Sequence, residues 1–341
     1  MRWDEQRVEN DLRLPGVGDG TVVRTFDAPE AMGVNFHEVR ARSALNRVPG
    51  GRYGFGWTIN PYRGCTHACT FCFARRTHTY LDMNAGRDFE REIVVKVNVP
   101  ELLRAELARP SWKRELVALG TNTDPYQWVE SRYRMMPEIL AALEEADTPV
   151  SVLTKSPLVL RDVEIYERMA KRLPVSVNLS VPTLDEEAWR ATEPHTPSPA
   201  ARLDAVAELR TRGIESGVLV APLMPGINDD PAQVQPILDR AREAGATFLG
   251  GVALHLRGEV RDVFFAWLQA KRPDLLPEYE RLYKGGRAYM RPEQRKRATR
   301  AVRGWGGRQS PRLTSRGRSG RDFEYPPVEP TPDRPSQDAL F

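Results

Sequence analysis

The chain has 341 residues, 40% of them hydrophobic and 28% charged, with a formal net charge of +4. That length suggests about two average domains or one large α/β barrel with appendages, and the composition is that of a chain with a core to bury. The mild charge does not argue for a nucleic-acid partner, and no run of about 18 apolar residues is present to cross a membrane.

Of the 50 basic residues 43 are Arg and 7 are Lys, so each lysine inside an apolar segment stands out. The opening Met1-Arg2-Trp3-Asp4-Glu5-Gln6-Arg7 is too polar for a secretory signal, and a cytoplasmic monomer is expected. Residues 1–54 are polar, punctuated by Gly and Pro, and without sustained period; they read as an extension wrapped around the core. From about residue 55 short apolar runs alternate with helical stretches. The runs are Gly56–Asn60, Ile93–Val97, Leu116–Leu119, Val150–Leu153, Val175–Leu179, Val218–Ala221 and Phe248–Leu256. Helical patterns lie over 137–146, 159–172, 199–212 and 231–244, and Gly213 and Gly245 fall where glycine ends a helix.

Strands alternating with helices predict βα units and a parallel sheet. About six units fall short of a closed eight-fold barrel. The expected fold is α/β, a partial (βα)6 TIM-type barrel over 55–260, an open doubly wound sheet being the other arrangement the pattern allows. Either one gathers ligands at the C-terminal ends of its strands. A helical cap is expected over 261–302, and a disordered Gly-, Pro-, Ser- and Arg-rich tail over 303–341.

All three cysteines lie in Cys65-Thr66-His67-Ala68-Cys69-Thr70-Phe71-Cys72, just after the first strand of the core. Three thiolates in one short loop can hold three corners of an iron–sulfur cube, and with no fourth cysteine one iron is left open. The other readings are a zinc knuckle with His67 or His78 as fourth ligand, or an electron-transfer module, or a nucleic-acid-binding protein with a structural cluster and an Arg-rich tail.

The C-x3-C-x2-C spacing with Phe71 before the last cysteine resembles the radical S-adenosylmethionine (SAM) signature. Ile59-Asn60-Pro61-Tyr62-Arg63-Gly64-Cys65, Cys72-Phe73-Ala74-Arg75 and Thr123-Asp124-Pro125-Tyr126-Gln127 are similar to the spore photoproduct lyase-related group, in its actinobacterial branch. The resemblance covers about residues 32–302. It implies a [4Fe-4S] cluster on Cys65, Cys69 and Cys72, SAM chelating the open iron, and reductive cleavage of SAM to a 5′-deoxyadenosyl radical that abstracts hydrogen from a substrate. It also implies an electron donor of flavodoxin or ferredoxin type, and makes DNA a candidate partner. Spore photoproduct lyase uses a further cysteine to return hydrogen to product. This chain has none, and Tyr62, Tyr80 and Tyr126 are the candidate replacements.

Strand ends supply the candidate SAM contacts. The resemblance points to Thr123 and Asp124 for the amine; the same residues also read as a helix N-cap before Pro125. Lys155, where a strand meets a loop, suits the SAM carboxylate as a compact charge, or else is a surface lysine. Ser180 is placed to touch carboxylate or ribose, or is a turn hydroxyl. His255 and Arg257 close the last strand, facing adenine, SAM or substrate, with a satisfied core histidine as the other reading for His255. Lys96 reads as a solvent-facing strand residue, and Glu193 as part of a rigid loop over the mouth that meets substrate or caps a turn. At the chain's end, Gln337-x-x-Leu340-Phe341 resembles the short motif by which bacterial repair and replication proteins bind the polymerase sliding clamp.

Overall fold

The computed structural model describes residues 21–28, 31, 33–48 and 54–303. The expected tail, with Gln337, Leu340 and Phe341, lies outside the described residues.

The segment read as a patternless extension carries three strands: β1 (Val22–Arg24), β2 (Asn35–Val39) and β3 (Leu45–Arg47). The core then begins with β4 (Trp57–Ile59) and the two-residue β5 (Tyr62–Arg63). After the cysteine loop come a 3₁₀ segment (Phe73–Leu81), α1 (Arg87–Arg91) and β6 (Glu92–Lys96). The remaining units are α2 (Val99–Leu107), β7 (Val117–Leu119), α3 (Glu130–Tyr133), α4 (Met135–Glu145), β8 (Val150–Thr154) and α5 (Val163–Ala170). They continue with β9 (Val175–Ser180), α6 (Glu186–Thr192), α7 (Pro199–Thr211), β10 (Gly217–Leu223), α8 (Pro231–Glu243) and β11 (Phe248–Ala253).

The main sheet has the order β11-β10-β9-β8-β7-β4-β3. Its six strands from β4 to β11 are parallel, and β3 pairs antiparallel with β4 at one edge. This is the partial barrel: six strands, open between β3 and β11. All of β7 and most of β9 are buried, as expected of Val- and Leu-rich parallel strands covered on both faces.

The run around 93–97 does not join the barrel. As β6 it pairs parallel with β2 and antiparallel with β5, in a separate four-stranded sheet, β1-β2-β6-β5. Its apolar composition predicts a strand but not which sheet takes it.

Helix starts follow the local chemistry. Asp185, Ser198 and Asp230 accept hydrogen bonds from Ala188, Ala201 and Ala232, and Pro199 and Pro231 open α7 and α8. Gly213 and Gly245 leave those helices at φ 74° and 70°. Beyond β11, α9 (Glu259–Lys271) and α10 (Leu276–Leu282) bring Phe264, Leu268, Tyr279 and Tyr283 into one apolar cluster with Cys69 and Phe71. The helices after the sheet therefore pack on the cysteine loop. Finally α11 (Pro292–Ala298) leads into α12 (Arg300–Arg303), which returns to α8 and β11. Among the described residues no helix is long and apolar enough to cross a membrane.

Candidate active site

The cysteine loop is shaped by backbone restraints its own sequence supplies only in part. Gly64 turns at φ 83°, where a Cβ would stand 2.8 Å from Ile93 Cδ1 and 3.0 Å from the Phe89 carbonyl, so no other residue fits. Buried Gln127 clamps the loop start, accepting from Thr66 N–H (3.0 Å) and donating to Gly64 carbonyl (3.0 Å). Arg75 closes the far side. Fully buried, it donates to the carbonyls of Ala68, Cys69, Ala85 and Gly86 at 2.9–3.0 Å and pairs with Glu90. Thr70 N–H reaches the Thr192 carbonyl (3.0 Å), which ties the loop to the C-terminal end of α6.

The three thiols line one cavity of about 740 Å³ at the C-terminal ends of the barrel strands. Burial pushes each thiol above its ordinary value, so the thiolates need a cationic partner in the site. Three soft donors on one loop, opening on one cavity, fit a cluster held by three thiolates. No other cysteine exists in the chain to occupy a fourth corner.

Every other residue singled out for SAM lines the same cavity: Thr123, Asp124, Lys155, Ser180, His255 and Arg257. Their partners differ from the expectations. No helix starts at Pro125; α3 begins at Glu130. Asp124 instead closes an Asx turn onto Tyr126 N–H (2.9 Å) and accepts from Thr154 Oγ1 (2.6 Å) and Lys155 N–H (2.7 Å). It thereby joins the ends of β7 and β8. His67 Nδ1 lies 3.4 Å from its Oδ2, and burial lowers the His67 pKa, keeping the imidazole neutral. Thr123 donates to the Tyr62 carbonyl (2.8 Å). Gly120, at φ 81°, lets this loop pass Leu153, whose carbonyl would lie 1.8 Å from any Cβ there.

Lys155 is not a surface lysine. Its ammonium meets Glu193 Oε1 (2.6 Å) and Ser180 Oγ (2.8 Å) and sits over the Phe71 ring, 5.6 Å from its centroid. Glu193, fully buried, is held from the other side by Arg202 Nη1 (2.8 Å). Burial raises the Glu193 pKa, but Arg202 and then Lys155 outweigh it, so the carboxyl stays ionised below its ordinary range. His255 lies between Phe73 (centroids 5.8 Å) and Tyr289 (5.4 Å, planes at 26°), and burial followed by Arg257 lowers its pKa. Lys96 also departs from expectation: it is buried, not solvent-facing, at the end of β6 where that strand pairs with β2 at Val39.

Of the candidate tyrosines only Tyr80 reaches the cavity, where Tyr289 joins it. Tyr62 donates to buried Glu130, and Tyr126 bonds to Asp162 (3.0 Å) and Tyr166 (2.8 Å) inside the core. The residues sequence reasoning missed are Arg75, Gln127, Arg202 and Tyr289. Arg75 and Gln127 sit inside the quoted flanks, which was the available signal; nothing local marks Arg202 or Tyr289.

A partial barrel with three cysteines on the loop after its first strand, opening on a cavity at the strand ends, is the architecture of an enzyme that works with an iron–sulfur cluster. The sequence model described as the Radical SAM superfamily matches residues 59–234. The uncharacterised protein Rv2578c of Mycobacterium tuberculosis is 45% identical over 302 residues, 86% of this chain and 88% of its own. Spore photoproduct lyase complexed with dinucleoside spore photoproduct shares the fold at a TM-score of 0.58 and 15% identity, covering 79% of this chain and 77% of that one. A variant of that lyase with bound AdoMet, which is SAM, and dinucleoside spore photoproduct gives 0.57 and 16%, over 78% and 76%. The chain belongs to the radical SAM superfamily. The zinc and purely structural readings therefore fall away, and the family implies a [4Fe-4S] cluster and SAM as cofactors.

Proposed function

We propose that Cys65, Cys69 and Cys72 each hold one iron and that SAM binds the same cavity, its carboxylate toward Lys155 and Ser180 and its amine toward the Thr123–Asp124 turn. The cluster and SAM, when bound, supply one-electron chemistry that ends in removal of a hydrogen atom from a substrate. The chain's own residues do the rest. Gln127 and Arg75 set the thiols' backbone, Lys155 offers a positioned cation, and the buried walls exclude water from a reactive radical. The observation that carries this reading is the convergence of three thiols and one paired lysine on a single cavity at the strand ends.

We further read the substrate as a nucleic acid, which places the enzyme in DNA repair. The cavity wall carries three neighbouring rings, Phe73 tilted against His255 and His255 stacked on Tyr289, and is also lined by Arg76 and Arg257, chemistry suited to a planar base and a phosphate. The structurally similar lyase was observed with a dinucleoside. The test is anaerobic reconstitution, reduction and SAM addition, with 5′-deoxyadenosine as readout, without and with deuterated DNA. Absence of 5′-deoxyadenosine from a four-iron protein rejects the cofactor assignment. Its formation without deuterium transfer from DNA rejects the substrate.

Two partners complete the reading: a flavodoxin- or ferredoxin-type reductant, and the polymerase sliding clamp docking Gln337, Leu340 and Phe341. Titration of clamp with a peptide of residues 327–341 is expected to give micromolar binding lost in the Leu340→Ala/Phe341→Ala variant. Equal behaviour of the two peptides rejects the docking.

A further inference from the structure

The Lys155 ammonium does not stand alone. Ser180 Oγ at 2.8 Å accepts one of its three N–H donors, and Glu193 Oε1 pairs with it as an ion pair at 2.6 Å without hydrogen-bond geometry, which leaves donor capacity for whatever enters the cavity. Glu193 is in turn fixed from behind. Arg202, fully buried on α7, donates to Glu193 Oε2 (2.8 Å), to the Ser180 carbonyl (2.9 Å) and to the Pro197 carbonyl (3.0 Å). The network thus joins the ends of β8 and β9 to the loop before α7. Thr192, the last residue of α6 and directly before Glu193, anchors Thr70 between Cys69 and Phe71 through its carbonyl.

The charges decide what the network is for. Two cations and one carboxylate leave a single net positive charge, carried by the one member of the three that lines the cavity, Lys155. An arrangement that only bridged two strands would need no second cation on the carboxylate. Arg202 keeps Glu193 ionised where burial alone would neutralise it. Other polar groups around the trio include Thr196, which accepts from Arg202, together with Asp124, His67 and the Cys69 and Cys72 thiols. Asp124 accepts from Tyr126 N–H, Thr154 Oγ1 and the backbone N–H of Lys155, not from its ammonium, so Glu193 is the carboxylate paired with the lysine's Nζ.

We propose that Glu193, anchored by Arg202, is the positioning residue that aims Lys155 at the carboxylate of SAM and places a fixed negative charge beside the Cys69 corner of the cluster. The proposal rests on the reading that Lys155 faces SAM.

The experiment is a double-mutant cycle on the anaerobically reconstituted, unreduced protein, with SAM affinity measured by equilibrium dialysis and the cluster's midpoint potential by redox titration. Glu193→Gln is expected to retain its iron and to weaken SAM binding about tenfold, and the same change in a Lys155→Met background to alter it less than about twofold. Without SAM, Glu193→Gln raises the midpoint potential, because a negative charge beside the cluster has gone. Glu193→Asp, which keeps the charge, leaves the potential close to native; it also reports should the Gln variant fail to hold a cluster. Equal losses in both backgrounds, or a native potential in Glu193→Gln, or a potential in Glu193→Asp raised as by loss of charge, overturns the proposal. Native SAM affinity in Lys155→Met overturns the reading beneath it, and the proposal with it.

Discussion

Arg75 offers a direct measure of how much the cysteine loop depends on residues that hold no metal. Its guanidinium satisfies four backbone carbonyls, two inside the loop (Ala68, Cys69) and two before α1 (Ala85 and part-buried Gly86). It also pairs with partly exposed Glu90 and lies over the Phe89 ring, 5.1 Å from its centroid. Arg75→Met keeps much of the volume and removes every donor. A buried group left unsatisfied costs about 1–3 kcal/mol, but carbonyls tolerate this better than N–H groups and the Glu90 pair adds little at its exposure. The sum is a loss of about 3–5 kcal/mol in folding stability, a large share of a typical domain's margin. Because two of the carbonyls belong to the ligand loop, reconstitution is expected to give substoichiometric iron although every thiol is present. Arg75→Lys, which keeps the charge but only one or two of the bonds, falls between. Urea denaturation of the apoprotein and iron content after reconstitution are the assays. A Met variant with native stability and a full cluster would refute the reasoning.

Cys65→Ala, Cys69→Ala and Cys72→Ala are each expected to abolish the four-iron cluster and its visible absorbance; full iron content in any of them contradicts the ligand assignment. Lys155→Met is expected to weaken SAM binding by about 2–5 kcal/mol while the cluster still assembles, measured by equilibrium dialysis. Lys96→Met is expected to stabilise the protein. Burial, and then Arg63, lower the Lys96 ammonium from 10.5 to about 8, so the folded state carries a penalty for the charged form that is complete below pH 8 and fades toward 10.5. The gain is then about 1–3 kcal/mol at neutral pH and shrinks as pH rises from 8 to 10.5. Urea melts of both proteins across that range check it, and a gain that does not vary with pH counts against the buried-cation account.

Local pattern was enough to read the barrel's strands and helices and the ligand chemistry, though not β1–β3. Runs such as Val150–Leu153 are strands and stretches such as 199–212 are helices because hydrophobic period and caps (Ser198 with Pro199, Asp230 with Pro231) act over a few residues. The ligand loop was legible because all three thiols must sit within one loop to share a cluster. The line-up of Lys155 and Ser180 followed because parallel strands deliver their ends to one place. How those ends are wired depends on contacts between distant segments. That β6 leaves the barrel for the small sheet depends on pairing with β2, 57 residues earlier at Asn35↔Glu92, and short β1–β3 show no period of their own. The partners of Lys155, the burial of Lys96 and the reach of Arg202 and Arg75 are likewise set by which segments meet. Charge pairing acts over a few ångströms of space, and sequence separation carries almost no information about it.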